Sequence, residues 1–313
     1  MKNLGIVFTS RNNYELLDDW MNITDTEGFD ILNIDEDSLE ENKEIGKKIC
    51  EKHNIVYMDR EERGMSYNIL TASNFYKSRG IDWILWFSHD TFPSTEYFFS
   101  KVNDIISTKA FDEFGVVGFN GHQLPGSTSL CKKGIKELDI TGRTCFWGDG
   151  WYRNKKYYPK SRPDYSINDF NFPFSVDSVA WFAAMVNIDM YKKHIIPTDE
   201  FHLFYSWDDI AFQYLQKNVY NICIPNLDII HDKNFKITRG FTDRSPRDNG
   251  KREFYYGKWG HHKSWLDKWG FPYETFKDRE SQRQNMEKHK GTLIWEHYNH
   301  DPSNGPLKTF NLI

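Results

Sequence analysis

The sequence predicts an α/β chain: a mostly parallel central sheet with helices on both faces, followed by a C-terminal extension. Three observations predict it. Short apolar runs alternate with segments of helical period from Leu4 to Phe119, the pattern of successive βα units. One run, Ile81 to Phe87, is almost wholly apolar, as a central strand buried on both faces must be. The charge also changes sign late. Residues 1–231 carry 24 Lys and Arg against 34 Asp and Glu, whereas residues 232–313 carry 16 against 11. The second stretch is therefore read as a separate basic, aromatic extension packed on the first.

The elements follow in order. Leu4 to Thr9 is a buried strand, and Asn12 or Asn13 is placed to cap a helix carrying Leu16, Leu17 and Trp20. Phe29 to Ile34 is the second strand. Ser38 with Glu41 three residues on forms a capping box, opening a helix with Ile45 and Ile49 on one face. Ile55 to Met58 is the third strand, and Met65, Ile69 and Ala72 line a helix that stops at Gly80. After Ile81 to Phe87, Ser94 caps another helix and Gly115 to Phe119 is a strand. Residues 120–175 lose the rhythm, with Gly148-Asp149-Gly150-Trp151 and Tyr157-Tyr158-Pro159 inside them, and read as a long irregular insertion. Val179 to Val186 restores a buried strand, Asp208 to Lys217 is helical, and Tyr220 to Ile224 and Leu227 to Ile230 are short strands. The main α/β unit is thus placed at 1–231 and the extension at 232–313.

Composition narrows the function. Aromatic residues make up 17% of the 313, with 24 Phe, 17 Tyr and 11 Trp, more than a core needs, which leaves rings for stacking on a ligand. Cys50, Cys131, Cys145 and Cys223 form no C-x-x-C pair, so neither a zinc finger nor a disulfide framework is expected. No apolar run is long enough to span a bilayer and no secretory leader is evident, so a cytoplasmic protein is expected. The phosphate loops G-x-G-x-x-G and G-x-x-x-x-G-K-[ST] are missing, as is G-x-S-x-G, which disfavours nicotinamide, ATPase and α/β-hydrolase chemistry.

Parallel sheets bind ligands beyond the carboxyl ends of their strands. Those ends carry Thr9-Ser10-Arg11, Asp35-Glu36-Asp37-Ser38, Ser88-His89-Asp90 and His231, a polar set. In this order the residues resemble the nucleotide-sugar glycosyltransferases of the GT-A fold (a Rossmann-like sheet), particularly the large inverting family 2. Thr9, Ser10 and Arg11 stand where that family begins its nucleotide pocket. Asp35 and Asp37 sit in a turn similar to its base- and ribose-reading turn. Gly64-Met65-Ser66-Tyr67-Asn68 resembles its Gly-x-x-x-Asn helix start. Ser88-His89-Asp90, followed by Pro93, resembles its D-x-D strand end, with Ser88 at the first carboxylate position. Trp207-Asp208-Asp209 resembles its acidic pair, and His231 its late metal histidine.

The resemblance implies an inverting, metal-dependent transfer of a sugar from a nucleoside diphosphate, a UDP-sugar first among them, to a hydroxyl of a glycan or other acceptor. It implies Asp90 and His231 as ligands of Mn²⁺ or Mg²⁺, and Thr9, Ser10, Arg11, Asp35, Asp37, Gly64, Asn68, Ser88 and His89 around the donor. Asp209 is implied as the base, with Asp208 orienting it or binding acceptor hydroxyls. The chemistry is coherent: a cation relieves the charge of the departing diphosphate, and a carboxylate takes the acceptor proton. Two alternatives stay open: the same transfer to a hydroxylated nucleic-acid base, suggested by the basic extension, and a non-catalytic nucleotide-sugar or carbohydrate-binding protein.

Overall fold

The computed structural model describes residues 3–61, 64–123, 173–176, 178–179, 183–201, 205–231, 264–265, 268–269, 284, 287–294 and 310. The strands are β1 (Leu4–Ser10), β2 (Asp30–Glu36), β3 (Val56–Arg60), β4 (Trp83–Phe87), β5 (Thr91–Pro93), β6 (Val117–Gln123), β7 (Phe174–Val176), β8 (Ala183–Asn187) and β9 (Asn221–His231). The helices are α1 (Tyr14–Ile23), α2 (Glu40–Lys52), α3 (Met65–Lys77), α4 (Phe98–Ser107), α5 (Ile188–His194) and α6 (Ser206–Gln216). One sheet takes all nine strands in the order β3-β2-β1-β4-β8-β6-β9-β5, with β7 also on β9.

Strands β3, β2, β1 and β4 are mutually parallel, each reached by a crossover helix. Strand β8 runs antiparallel to both β4 and β6, so the sheet is mixed in its second half, while β6 and β9 are parallel. Side-chain alternation divides the core. Leu4, Ile6, Phe8, Leu85 and Phe87 face α1 and α4. Val7, Ile84 and Trp86 face α3, α5 and α6.

Several local expectations are corrected. No side-chain cap opens α1 or α2. Instead the two loops cap each other: Asn12 N–H donates to Ser38 Oγ at 3.0 Å, and Leu39 N–H donates to Asn12 Oδ1 at 2.8 Å. The Ser38–Glu41 capping box is thus replaced by a contact across 26 residues. Helix α4 begins at Phe98 after Tyr97, not at Ser94. Ile45 is 46% exposed, because α2 buries Lys43, Gly46 and Cys50 instead. The two expected final strands are one, β9, with a break in register between Phe119 and Asn120 of its partner. Pro225, without an N–H to donate, falls in the skipped stretch.

Cys50 and Cys223 are buried free thiols, while Cys131 and Cys145 lie outside the described residues. So do Trp147, Trp151, Tyr157 and Tyr158 of the expected insertion. Beyond residue 231, Trp265 and Trp269 pack on α6, and Phe310 packs beside the start of the β6 and β9 strands. Trp265 packs on Phe212 with ring centroids 5.1 Å apart, and Phe310 on Phe114 at 4.8 Å. Among the described residues no helix is long and apolar enough to cross a membrane.

Candidate functional site

The carboxyl end of β4 turns sharply. Thr91 N–H donates to Ser88 O at 3.1 Å, closing a turn with His89 and Asp90 at its centre. Trp20 Nε1 donates to Thr91 O at 2.6 Å, and Ser88 Oγ donates to Asp90 Oδ1 at 2.6 Å. A buried indole and a serine hydroxyl therefore fix the Asp90 carboxylate at the sheet edge. On β9, His231 is the register partner of Thr91, one residue from Asp90.

His89 points the other way. Its ring lies 5.5 Å from Phe8, Nε2 is 3.1 Å from Ser10 Oγ, and Nδ1 is 3.5 Å from Asn13 Nδ2. Ser10 Oγ gives its only proton to Asn33 Oδ1 at 2.6 Å, so it accepts from His89 Nε2–H, leaving Nδ1 to accept from Asn13. Burial pulls the imidazole down to about 4, against the opposing charge of Asp90. It is a neutral strut tying the β1–α1 loop to the β4 turn.

A second network closes the ends of β2 and β3. Glu36 Oε1 accepts from Gly64 N–H at 3.1 Å and from Asn68 Nδ2 at 2.6 Å. Asn68 Oδ1 in turn accepts from Arg60 at 3.0 Å. Burial raises Glu36, while Gly64 N–H, Asn68, Arg60 and Arg11 pull it back. Gly64 has φ +131°, and a Cβ there would stand 3.3 Å from Thr198 O. A glycine is therefore required where α3 opens. Asp35 is buried behind this layer, accepting from the Tyr14 hydroxyl and from Ser38 N–H at 2.9 Å. Asp37 takes a left-handed backbone, φ +57°, with its N–H on Arg60 O at 2.9 Å. Thr9 Oγ1 accepts from Trp86 Nε1 at 3.4 Å.

The acidic pair opens α6. Tyr205, left-handed at φ +69°, reverses the chain before the helix, and Asp209 N–H closes back onto its carbonyl at 2.8 Å. Trp207 packs on Trp86 with ring centroids 5.8 Å apart, which sets the start of α6 beside the carboxyl end of β4. The two carboxylates then differ sharply. Asp209 is 1% exposed: Oδ2 accepts from Gln213 Nε2 at 2.9 Å, and Oδ1 from Trp269 Nε1 at 2.9 Å, with Lys268 Nζ at 2.8 Å. Asp208 is partly exposed, and among the described residues its hydrogen bond is from Ser178 Oγ at 2.7 Å. Desolvation pushes Asp208 up to about 7; the Ser178 hydrogen bond opposes the rise and the charge of Asp209 adds to it.

Neither a protein-family model nor a curated protein matches the sequence. Solved structures do. GalNAc-T7 with UDP, GalNAc and Mn²⁺ superposes with a TM-score of 0.51 at 8% identity over 96% of this chain, which spans 58% of that one. This is a GT-A fold. Two further glycosyltransferases superpose less well. One is S. aureus TarS 1–349, at 0.46, 11% identity, 92% of this chain and 80% of that. The other is the Pyrobaculum calidifontis mannosyltransferase PcManGT with GDP-Man and Mn²⁺, at 0.45, 9% identity, 94% and 85%.

On the GT-A sheet, the residues expected at the site gather at one edge but divide into two kinds. Thr9, Glu36, Asp37 and Asp208 are partly exposed there, whereas Ser10, Asp35, Asn68, His89, Asp90 and Asp209 are buried. Glu36, Arg60, Gln213, Lys268 and Trp269 were not singled out by sequence. Glu36 lay in the acidic turn beside Asp35 and Asp37; the others carry no local signal. Among the described residues, no group of three His, Cys, Asp or Glu side chains could hold a metal. One carboxylate at the β4 turn, with a histidine at the adjoining register position, suits a hard divalent cation that takes its remaining ligands from a phosphorylated substrate. Most of the basic extension that suggested the nucleic-acid alternative, residues 232–263 among it, lies outside the described residues.

Proposed function

We propose that this chain is a divalent-metal-dependent glycosyltransferase that moves a sugar, with inversion, from a nucleoside diphosphate to an acceptor hydroxyl. The observation that carries the reading is the asymmetric acidic pair: on a GT-A sheet, beside the carboxyl end of β4, one carboxylate is fixed and the other is held near neutrality. Asp208 is the base. It is partly exposed, and burial has brought it to about 7, where a carboxylate takes a proton most effectively at neutral pH. Asp209, with both oxygens occupied, orients the helix start and does not meet the acceptor.

Asp90 and His231 would hold Mn²⁺ or Mg²⁺, which supplies charge relief to the departing diphosphate. Ser88 orients the Asp90 carboxylate, and His89 fixes the loop that carries Thr9, Ser10 and Arg11 toward the nucleotide. Glu36, Gly64, Asn68 and Asp37 shape the pocket for base and ribose. A UDP-sugar is the donor class, in keeping with the UDP of the GalNAc-T7 neighbour. The test is a thermal-shift panel of UDP-, GDP-, CMP- and dTDP-sugars with Mn²⁺, followed by nucleotide release with the donor that shifts the midpoint. No shift and no release with any donor would overturn it. A shift without release would favour the sugar-nucleotide-binding alternative.

A further inference from the structure

Asp209 is a buried carboxylate at the site edge, and two of its partners come from far along the chain. Lys268 and Trp269 belong to the C-terminal extension, about 60 residues beyond Asp209, yet both converge on Asp209 Oδ1, at 2.8 and 2.9 Å. Each is itself seated. The Lys268 ammonium lies 5.2 Å from the centre of the Phe201 ring and 5.4 Å from that of Trp269, so aromatic faces flank it. Trp269 is buried, with its ring 5.5 Å from Phe212 and 5.3 Å from His289. Trp265, one turn earlier, packs on Phe212 and on Tyr205, the left-handed residue that starts α6. The extension therefore grips α6 at its side through Phe212 and at its acidic tip through Asp209.

We propose that Lys268 and Trp269 form a positioning clamp: they offset and immobilise the charge of Asp209, so that of the adjacent pair only Asp208 is presented to the acceptor. This deepens the glycosyl-transfer reading and rests on it. Without the ammonium, two carboxylates on consecutive residues would stand in a desolvated site with one hydroxyl, one amide and one indole N–H between them, all neutral, and the helix start would rearrange to expose one. Neither residue touches substrate; they act through Asp209.

Two measurements test the clamp separately from the chemistry. In a ¹H–¹⁵N spectrum of the full chain, one indole resonance should vanish in Trp269→Phe and move upfield in Asp209→Asn, because a charge-assisted hydrogen bond is weakened. If no indole responds to Asp209→Asn, the contact is overturned. In donor turnover, Lys268→Met should lower kcat by about tenfold or more with donor KM within about twofold, and Lys268→Arg should recover about half. Adding Lys268→Met to Asp209→Asn should cost no more than about twofold beyond Asp209→Asn alone. Equal losses in both backgrounds, or a folded Lys268→Met with near-normal kcat, would overturn the role. If Lys268→Met fails to fold, folding of the uncharged double variant supports charge compensation, and its failure to fold overturns it. A wild-type protein inactive with every donor, yet with a responsive indole, overturns the transfer reading and the role but not the contact.

Discussion

Replacing Asp208 by Asn should make the protein inactive and, at alkaline pH, more stable. Burial lifts the Asp208 carboxyl from 3.8 to about 7. The folded state therefore holds a proton that the unfolded chain releases between those values, and stability falls as pH rises across that window. The full effect of such a displacement is about 4 kcal/mol. Screening on the exposed side brings it to about 1–2 kcal/mol. Asn keeps an oxygen for Ser178 Oγ and has no charge to bury, so the penalty disappears. Above about pH 8 the variant should melt roughly 2–8 °C above wild type, and the two should converge below about pH 4. Transfer should respond in the opposite sense. Wild-type activity should fall through about pH 7 toward a tenth at about pH 6, and the variant should lose about 10²–10⁴ of kcat at every pH. Melting curves and initial rates of nucleotide release over the same buffers read both. A variant that melts at or below wild type at about pH 8, or wild-type kcat/KM undiminished near pH 5.5, would refute the reasoning.

Further outcomes are expected. Asp209→Asn should destabilise the fold by ~2 kcal/mol, the opposite sign to its neighbour, because Lys268, Trp269 and Gln213 lose a charged acceptor; chemical denaturation checks it. Asp90→Ala and His231→Ala should each weaken Mn²⁺-dependent donor binding by titration calorimetry, and unchanged affinity in both would move the metal elsewhere. His89→Leu should cost about 1–3 kcal/mol by stranding Ser10 and Asn13, while Mn²⁺ dependence of the residual activity stays within about twofold. Gly64→Ala should destabilise by ~1 kcal/mol or more and raise the donor KM, since φ +131° is barely open to alanine and Gly64 N–H holds Glu36.

The strand-and-helix rhythm of the parallel half was legible because each unit there is local. The apolar run ending at Phe87, the helix carrying Met65, Ile69 and Ala72 and the acidic start of α6 stand where the pattern put them. Direction was not legible: Val186 belongs to a strand that pairs antiparallel on both sides, and apolar patterning is the same for either direction. Caps failed for a related reason. Asn12 and Ser38 have the side chains of local N-caps, but once β1 and β2 pair, their loops meet and each finds the other. At the site, the sequence does not carry the burial and the partners of each side chain. A dipeptide of two aspartates gives no sign of which will be buried, since the deciding partners are Ser178, Gln213, Lys268 and Trp269. His89 likewise carries the side chain of a ligand and is spent on Ser10 and Asn13.

The asymmetry of the pair also accounts for why the extension should lie on α6 at all. A carboxylate raised to about 7 is useful only if its surroundings are dry, and dryness beside a second carboxylate is unfavourable unless that charge is met. Gln213 offers an amide from the same helix, which orients Asp209 but brings no charge. The sheet supplies no cation there among the described residues; Lys268 does, and Trp269 and Trp265 bring the apolar surface that keeps water away. One short stretch of the extension thus delivers the counter-charge and the cover together. It follows that the acidic pair and the extension form a single energetic unit. A chain ending near residue 231 would carry the strands, the β4 turn and Asp208, and would still lack the counter-charge and cover on which the role proposed for Asp208 rests.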